Sequence, residues 1–250
     1  NDDPLDEDNE PVIIDMTCDT TCNEATPQQK TVTITDETTE PTVTLTVGNA
    51  TLTEGNSTGT ATTTLVTATL SAISAKIVTV TLTKTGAEET FPPIDYILNG
   101  TITIPVGNQS ASITFSTVGD LFNKLNETVV IDIDTVTNGT ELATQTKTVT
   151  ITNDDAIPTV TLSVQRTSIT ETIAQATSTS AVTATLSAPS GQVVTVTLGT
   201  SGTATSGANA TPTSPGDFTL PTTITIQPLN SSASVSLAAV TDALDEADTE

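Results

Sequence analysis

The sequence repeats itself at a fixed spacing. KTVTIT at residues 30–35 returns at 147–152, and PTVTL at 41–45 returns at 158–162, each displaced by 117 positions. The same order continues with VTATLSA at 66–72 and 182–188, VTVTL at 78–82 and 194–198, and TITI at 101–104 and 223–226. NQSASI at 108–113 is answered by NSSASV at 230–235. Ordered matches along the whole chain mean tandem copies of one structural unit. Acidic stretches at 1–15, 119–133 and 241–250 fall at one point of the same period. The expected organisation is therefore the C-terminal part of a first repeat at 1–39, a complete repeat at 40–156, and a third repeat at 157–250 lacking its last strands. A cut through a longer array gives this pattern.

Within the complete repeat, apolar and polar residues alternate in about seven runs: TVTLTV, TATTTLVTATL, IVTVTLT, TITIP, SASITFSTV, TVVIDID and KTVTIT. Gly, Asn and Pro punctuate the gaps, and no run has a helical period. Threonine makes up about a quarter of the chain; its branched Cβ suits a pleated, half-exposed surface. These features predict an all-β fold of tandem, immunoglobulin-like antiparallel sandwiches. The few aromatics, Phe91, Tyr96, Phe115, Phe122 and Phe218, are expected as core plugs or strand-end anchors.

Charge narrows the function. Thirty acidic residues face six Lys and Arg, a net charge of -24. That balance excludes nucleic acid and anionic membranes as partners, because both require a basic face. With no histidine there is no Ser-His-Asp or Cys-His machinery and no imidazole metal ligand. An aromatic content of 2% leaves no sugar platform for a carboxylate-pair glycosidase. The expectation is a protein that is not an enzyme. No apolar run approaches the ~20 residues of a membrane helix, so no direct membrane insertion is expected in this segment.

Cys18 and Cys22, in CDTTC, stand close enough to bridge across a turn, as in an extracellular loop; free thiols or a redox pair are the alternatives. Eight Asn-x-Ser/Thr triplets, at Asn49, Asn56, Asn99, Asn108, Asn126, Asn138, Asn209 and Asn230, have the form of glycosylation acceptors, although a threonine-rich chain produces many by chance.

The ordered motifs resemble the Calx-beta domain, the calcium-binding sandwich of sodium/calcium exchangers and large extracellular adhesins: a VTL strand, a Thr-Glu turn, VTATLSA, VTVTL, Asp-Tyr or Asp-Phe, TITI, an acidic loop and Asn-Glu-Thr. The resemblance covers essentially the whole chain. It implies Ca2+ ligands at one end of each sandwich. In the complete repeat these are Glu54, Asp95, Asp120, Glu127, Asp154 and Asp155; in the third, Glu171, Asp217, Asp242, Glu246 and Glu250; in the first, Asp2, Asp3, Glu7, Glu10, Asp36 and Glu37. The chemistry stands apart from the family: clustered carboxylates repel unless a divalent cation lies between them, and calcium takes six to eight oxygens. The copies differ, with Gly119 and Lys124 where the first has Asp2 and Glu7, so a ligand is lost and a cation stands near. An ion beside Asp154 and Asp155 would stiffen the joint leading to Ile157 and Pro158.

The function expected on these grounds is a calcium-stiffened structural segment of an extracellular surface protein, such as an adhesin, stalk or filament. A calcium-sensing regulatory module is the alternative, and an accessory domain of a carbohydrate-active enzyme comes third. The partners are neighbouring repeats of the same chain, or identical subunits if one chain's first strands complete another's last repeat.

Overall fold

The computed structural model describes residues 5–26, 28–56, 59–86, 94–170, 178–207 and 216–240. Every regular element among them is a strand, and the chain divides into two compact units: 1–120 with 126–152, and 121–125 with 153–250.

The first unit contains a sandwich of two five-stranded sheets. One sheet is ordered β4 (Thr51–Thr53), β12 (Lys147–Thr152), β10 (Glu127–Thr137), β6 (Val78–Gly86) and β8 (Thr101–Ile104). The other is ordered β11 (Thr140–Glu141), β3 (Thr42–Val47), β5 (Gly59–Leu70), β9 (Ser110–Gly119) and β7 (Tyr96–Leu98). All seven expected runs are strands, and three short strands join them at the sheet edges. Period-two alternation turns Val43 and Leu45, Val78 and Val80, Ile102 and Ile104, and Val149 and Ile151 inward. Each such side chain stabilises the sandwich by roughly 1.5–3 kcal/mol. Phe115 is fully buried, with Tyr96 stacked on it at 5.2 Å between centroids, so both aromatics serve the core.

Two edge pairings are parallel, β4 with β12 and β11 with β3, where a purely antiparallel sandwich was expected. The cause is a change of sheet. After β3 the chain crosses to the opposite sheet through Gly48, Asn49 and Ala50, and β4 then runs in the direction of β12. Thr64 fixes the crossing: its Oγ1 accepts a hydrogen bond from the Asn49 amide at 2.7 Å and lies 3.0 Å from where a Gly48 Cβ would stand.

The same unit includes a hairpin of β1 (Glu10–Asp15) and β2 (Gln29–Ile34). Its register, Val12 opposite Val32 and Ile14 opposite Lys30, matches that of β10 and β12, with Val129 opposite Val149 and Ile131 opposite Lys147. The 117-residue period is thus a repeat of strand pairing. Every residue of β1 and β2 is exposed. The hairpin's far end is closed by the Cys18–Cys22 disulfide, with the two Cα atoms 5.4 Å apart.

The second unit repeats the front of the sandwich. A four-stranded sheet runs β13 (Val160–Val164), β14 (Thr179–Leu186), β18 (Ser232–Ala239), β16 (Phe218–Thr219), and a two-stranded sheet pairs β15 (Val194–Thr197) with β17 (Thr223–Ile226). Val194 opposite Ile226 reproduces Val78 opposite Ile104, and Val160 opposite Leu186 reproduces Val43 opposite Leu70. Among the described residues this unit holds no counterpart of β10 and β12. Among the described residues its buried apolar cluster is Val182, Ala184, Leu186, Ile224 and Ile226.

Candidate metal centre

Three strand ends meet at one pole of the first unit's sandwich. Glu54 follows β4, and its amide donates to the carbonyl of Thr152, the last residue of β12, at 2.9 Å. Asp95 precedes β7, and its carbonyl accepts from the Val118 amide of β9 at 2.8 Å. Asp120 follows the end of β9 directly. Beneath them Thr117, fully buried, donates its hydroxyl toward the carbonyls of Thr53 and Glu54 at 3.1 and 3.2 Å and accepts the Thr62 amide at 3.0 Å. The side chain of one β9 residue therefore ties the Glu54 turn to the strand that leads into Asp120.

The carboxylates of Glu54, Asp95 and Asp120 converge, each offering an oxygen within 4.8 Å of the others, and all three residues are buried. Glu54 Oε1 and Asp120 Oδ2 are sealed from solvent. At such separations two ionised carboxylates repel by on the order of 3 kcal/mol per pair, even at an effective dielectric constant near 20. A cation among them removes that cost. Oxygens sharing one calcium ion, bound at about 2.3–2.6 Å, lie no more than about 5 Å apart, and the donors here are hard oxygens only. The cluster fits a hard divalent ion and is a poor site for zinc, which favours nitrogen and sulfur.

Among the described residues the other candidates stand outside this group of three. Glu127 opens β10 at the same pole and is buried, but it is not part of the three-carboxylate cluster. Glu7 and Asp36 are joined through the backbone, the Glu7 amide donating to Asp36 Oδ2 at 3.2 Å. Asp36 also accepts from the amide and hydroxyl of Thr38. The Thr38 hydroxyl above all, with help from the Glu7 amide, holds the Asp36 carboxyl below its ordinary value against a smaller opposing effect of burial. Glu10 and Glu37 are exposed. In the second unit Asp154 is exposed and Asp155 half-buried, the Asp155 carbonyl accepting from the side-chain amides of Asn123 and Asn153 at 3.2 Å each. Asp217, the counterpart of Asp95, is half-buried and accepts the amide and hydroxyl of Thr205. Asp2, Asp3, Glu171, Asp242, Glu246 and Glu250 lie outside the described residues.

Two features escaped the sequence reading. Thr117 is one threonine among many, and only the repeat marks it: Ala239 holds its place in the second unit. Asp6 was not among the predicted ligands. It forms a parallel bridge to Ser74, accepts the Ser74 hydroxyl at 3.2 Å, and pairs with Lys76 Nζ at 2.9 Å. In the second unit Asn123 bridges to Ser190 in the same way, and Gln192 reaches Asn123 Oδ1 at 3.5 Å. Lys124, the expected intrusive cation, is buried in that unit, its stem 2.6 Å from where a Gly191 Cβ would stand.

No protein-family model and no curated protein matches the sequence. Among solved structures the chain is similar to the crystal structure of CBD12 from CALX1.2, with a TM-score of 0.35 and 14% identity over 76% of this chain and 72% of that one. It is similar to the calcium binding domain CBD12 of CALX1.1, with a TM-score of 0.35 and 15% identity over 77% and 73%. A two-domain protein of unknown function from Bacteroides fragilis has a TM-score of 0.33 and 10% identity over 80% and 85%. The reading of the site rests on its own geometry.

Proposed function

We propose that the chain is a calcium-binding structural segment of a large extracellular surface protein, a repeat stretch that the ion stiffens. The observation that carries this reading is the meeting of Glu54, Asp95 and Asp120, three buried carboxylates within 4.8 Å of one another. A fold keeps such a cluster at a cost, and a bound divalent cation supplies the compensation. Glu54, Asp95 and Asp120 would hold the ion and backbone or water oxygens would complete its shell. The ion's role is electrostatic and mechanical, and no bond is made or broken. The repeat architecture, the threonine-rich faces and the absence of histidine support a structural role over a catalytic one.

Calorimetric titration with calcium, paired with thermal melting in calcium and in chelator, tests the proposal. Saturable binding with a raised melting temperature is expected. A chain whose heat signal and melting ignore calcium would leave the three carboxylates without the assigned role.

A further inference from the structure

The strand that opens the first sandwich has one edge in need of cover. β3 pairs with β5 on one side; on the other, among the described residues, the only strand it meets is the two-residue β11, with Thr140 opposite Thr42 and Glu141 opposite Val43. Its six residues, TVTLTV, include no charge and no proline, and five of them are β-branched. A bare edge of that composition is a template for another strand.

The loop after β11 completes the cover with a side chain. The amides of Thr140 and Leu142 donate to the carbonyls of Pro41 and Val43, both at 3.0 Å. The outward amide of Leu45 then donates to Gln145 Oε1 at 3.1 Å, across 100 residues of sequence. That glutamine is itself fixed: its Nε2 donates to the Leu142 carbonyl at 2.5 Å and its backbone amide to Glu141 Oε1 at 2.6 Å. The loop turns back through Ala143, whose φ of 52° is a conformation that residues with a Cβ rarely adopt. Strain kept in a surface loop points to the group the loop positions, here the Gln145 amide. β3 ends at Val47, where the chain changes sheet. The clip recurs 117 residues earlier, where the Gln28 amide donates to Glu24 Oε1 at 2.5 Å. Of the five residues at 24–28 and at 141–145, only the glutamate and the glutamine coincide. What the two loops share is the pair that makes the clip.

We propose that the Glu141–Gln145 clip is an edge guard: the Gln145 side chain stands where a neighbouring strand would and keeps β3 from pairing with the β3 of a second copy. The excluded occupant is β3 itself because the segment is self-complementary. An antiparallel pair centred on Leu45 sets Val43 against Val47 and Thr44 against Thr46, and the two Leu45 residues exchange both backbone bonds. Thr opposite Thr is what β3 already accepts from β5, where Thr44 faces Thr69 and Thr46 faces Thr67. The contact would join one surface to itself and so close as a two-fold dimer. Mispairing of this kind is the characteristic failure of chains built from similar repeats. Removing Gln145 takes away both the acceptor for Leu45 and the bond that holds Leu142, so the cover from Pro41 to Leu45 loosens together. The guard needs no ion, and it and the calcium assignment fail separately.

Gln145→Ala in the full-length chain, a change at a half-buried loop residue, is the test. Hydrogen exchange at the Leu45 amide is expected to speed up at least tenfold while exchange in β6 and β10 stays at the parent's rate. Sedimentation should then show a species of twice 25.6 kDa that the parent lacks at the same concentration. Adding Thr46→Lys, which places a charge at an exposed position of that edge, should restore the parent's sedimentation profile. Unchanged exchange at Leu45 would mean that Gln145 does not hold that edge. Faster exchange with the parent's sedimentation, or an association that ignores Thr46→Lys, would mean that the edge needs no guard, and any of these results overturns the proposal.

Discussion

Asp6 and Lys76 form an ion pair at 2.9 Å, and the places they occupy are taken in the next repeat by Asn123 and Gln192. Both members changed from charged to amide, while the backbone bridge beneath them, Asp6 to Ser74 and Asn123 to Ser190, stayed the same. A buried carboxylate facing an uncharged amide, or a lysine facing one, is the less favourable combination. The two repeats hold the two matched solutions.

Exchanging one solution for the other gives the first prediction. Lys76→Gln alone leaves Asp6, 4% exposed, without its cation and should lower the midpoint of urea unfolding. Adding Asp6→Asn should recover part of the loss, seen as a favourable coupling in a double-mutant cycle. The Asp6 contacts raise the Lys76 pKa, so its contribution is complete below the unfolded lysine value and disappears as pH rises through the folded one. The double variant should lack that alkaline loss.

The second prediction concerns the carboxylate cluster and has opposite signs in two buffers. Asp120→Asn or Asp95→Asn should weaken calcium binding at least tenfold by calorimetry. In chelator the same variants should melt at or above the parent temperature, because each removes repulsion of on the order of 3 kcal/mol per pair. A variant less stable in both buffers would mean that these groups are held by hydrogen bonds alone.

Asp36 supplies a pH prediction. Its carboxyl is held below the ordinary value of 3.8, chiefly by the Thr38 hydroxyl. A depressed acid stabilises the folded state above its unfolded pKa, and that contribution is lost as pH falls through the folded one. Asp36→Asn should therefore lower stability at neutral pH, with the two proteins converging in acid below about 3.8. The asparagine is compatible with the local fold, since Asn153 stands at the equivalent place and accepts the Lys124 amide at 3.2 Å.

Removing the disulfide should be a local event. Cys18→Ser with Cys22→Ser opens a loop of a few residues, for which chain-entropy reasoning gives about 2 kcal/mol. The hairpin it closes is exposed along both strands. Hydrogen exchange should speed up in residues 10–34, and the melting of the sandwich should stay where it is.

Much of this structure was legible in the sequence because strands write a period of two and repeats write a fixed offset. KTVTIT forms β-strand at both sites in one register, and Glu54, Asp95 and Asp120, which the resemblance implies as ligands, bring their carboxylates together. The parallel edges were not legible: three residues, Thr51–Thr53, follow a change of sheet that depends on one hydroxyl, that of Thr64. Nor was the selection among carboxylates. Asp217 matches Asp95 in the repeat, yet it turns to Thr205, and Ala239 replaces the threonine that organises the first cluster. A motif records which acids are available; burial and the hydrogen bonds behind them decide which ones converge.

Thr117 has a kinetic consequence. Its hydroxyl fastens the Glu54 turn to β9 with protein groups only, so that turn is held to the strand by the protein itself. With that turn held by the protein, capture of the proposed ion would need less ordering there, and the ion's own loss of water would weigh more in its speed. Calcium gives up water far more readily than magnesium. The proposed site would therefore discriminate between the two by rate as well as by strength.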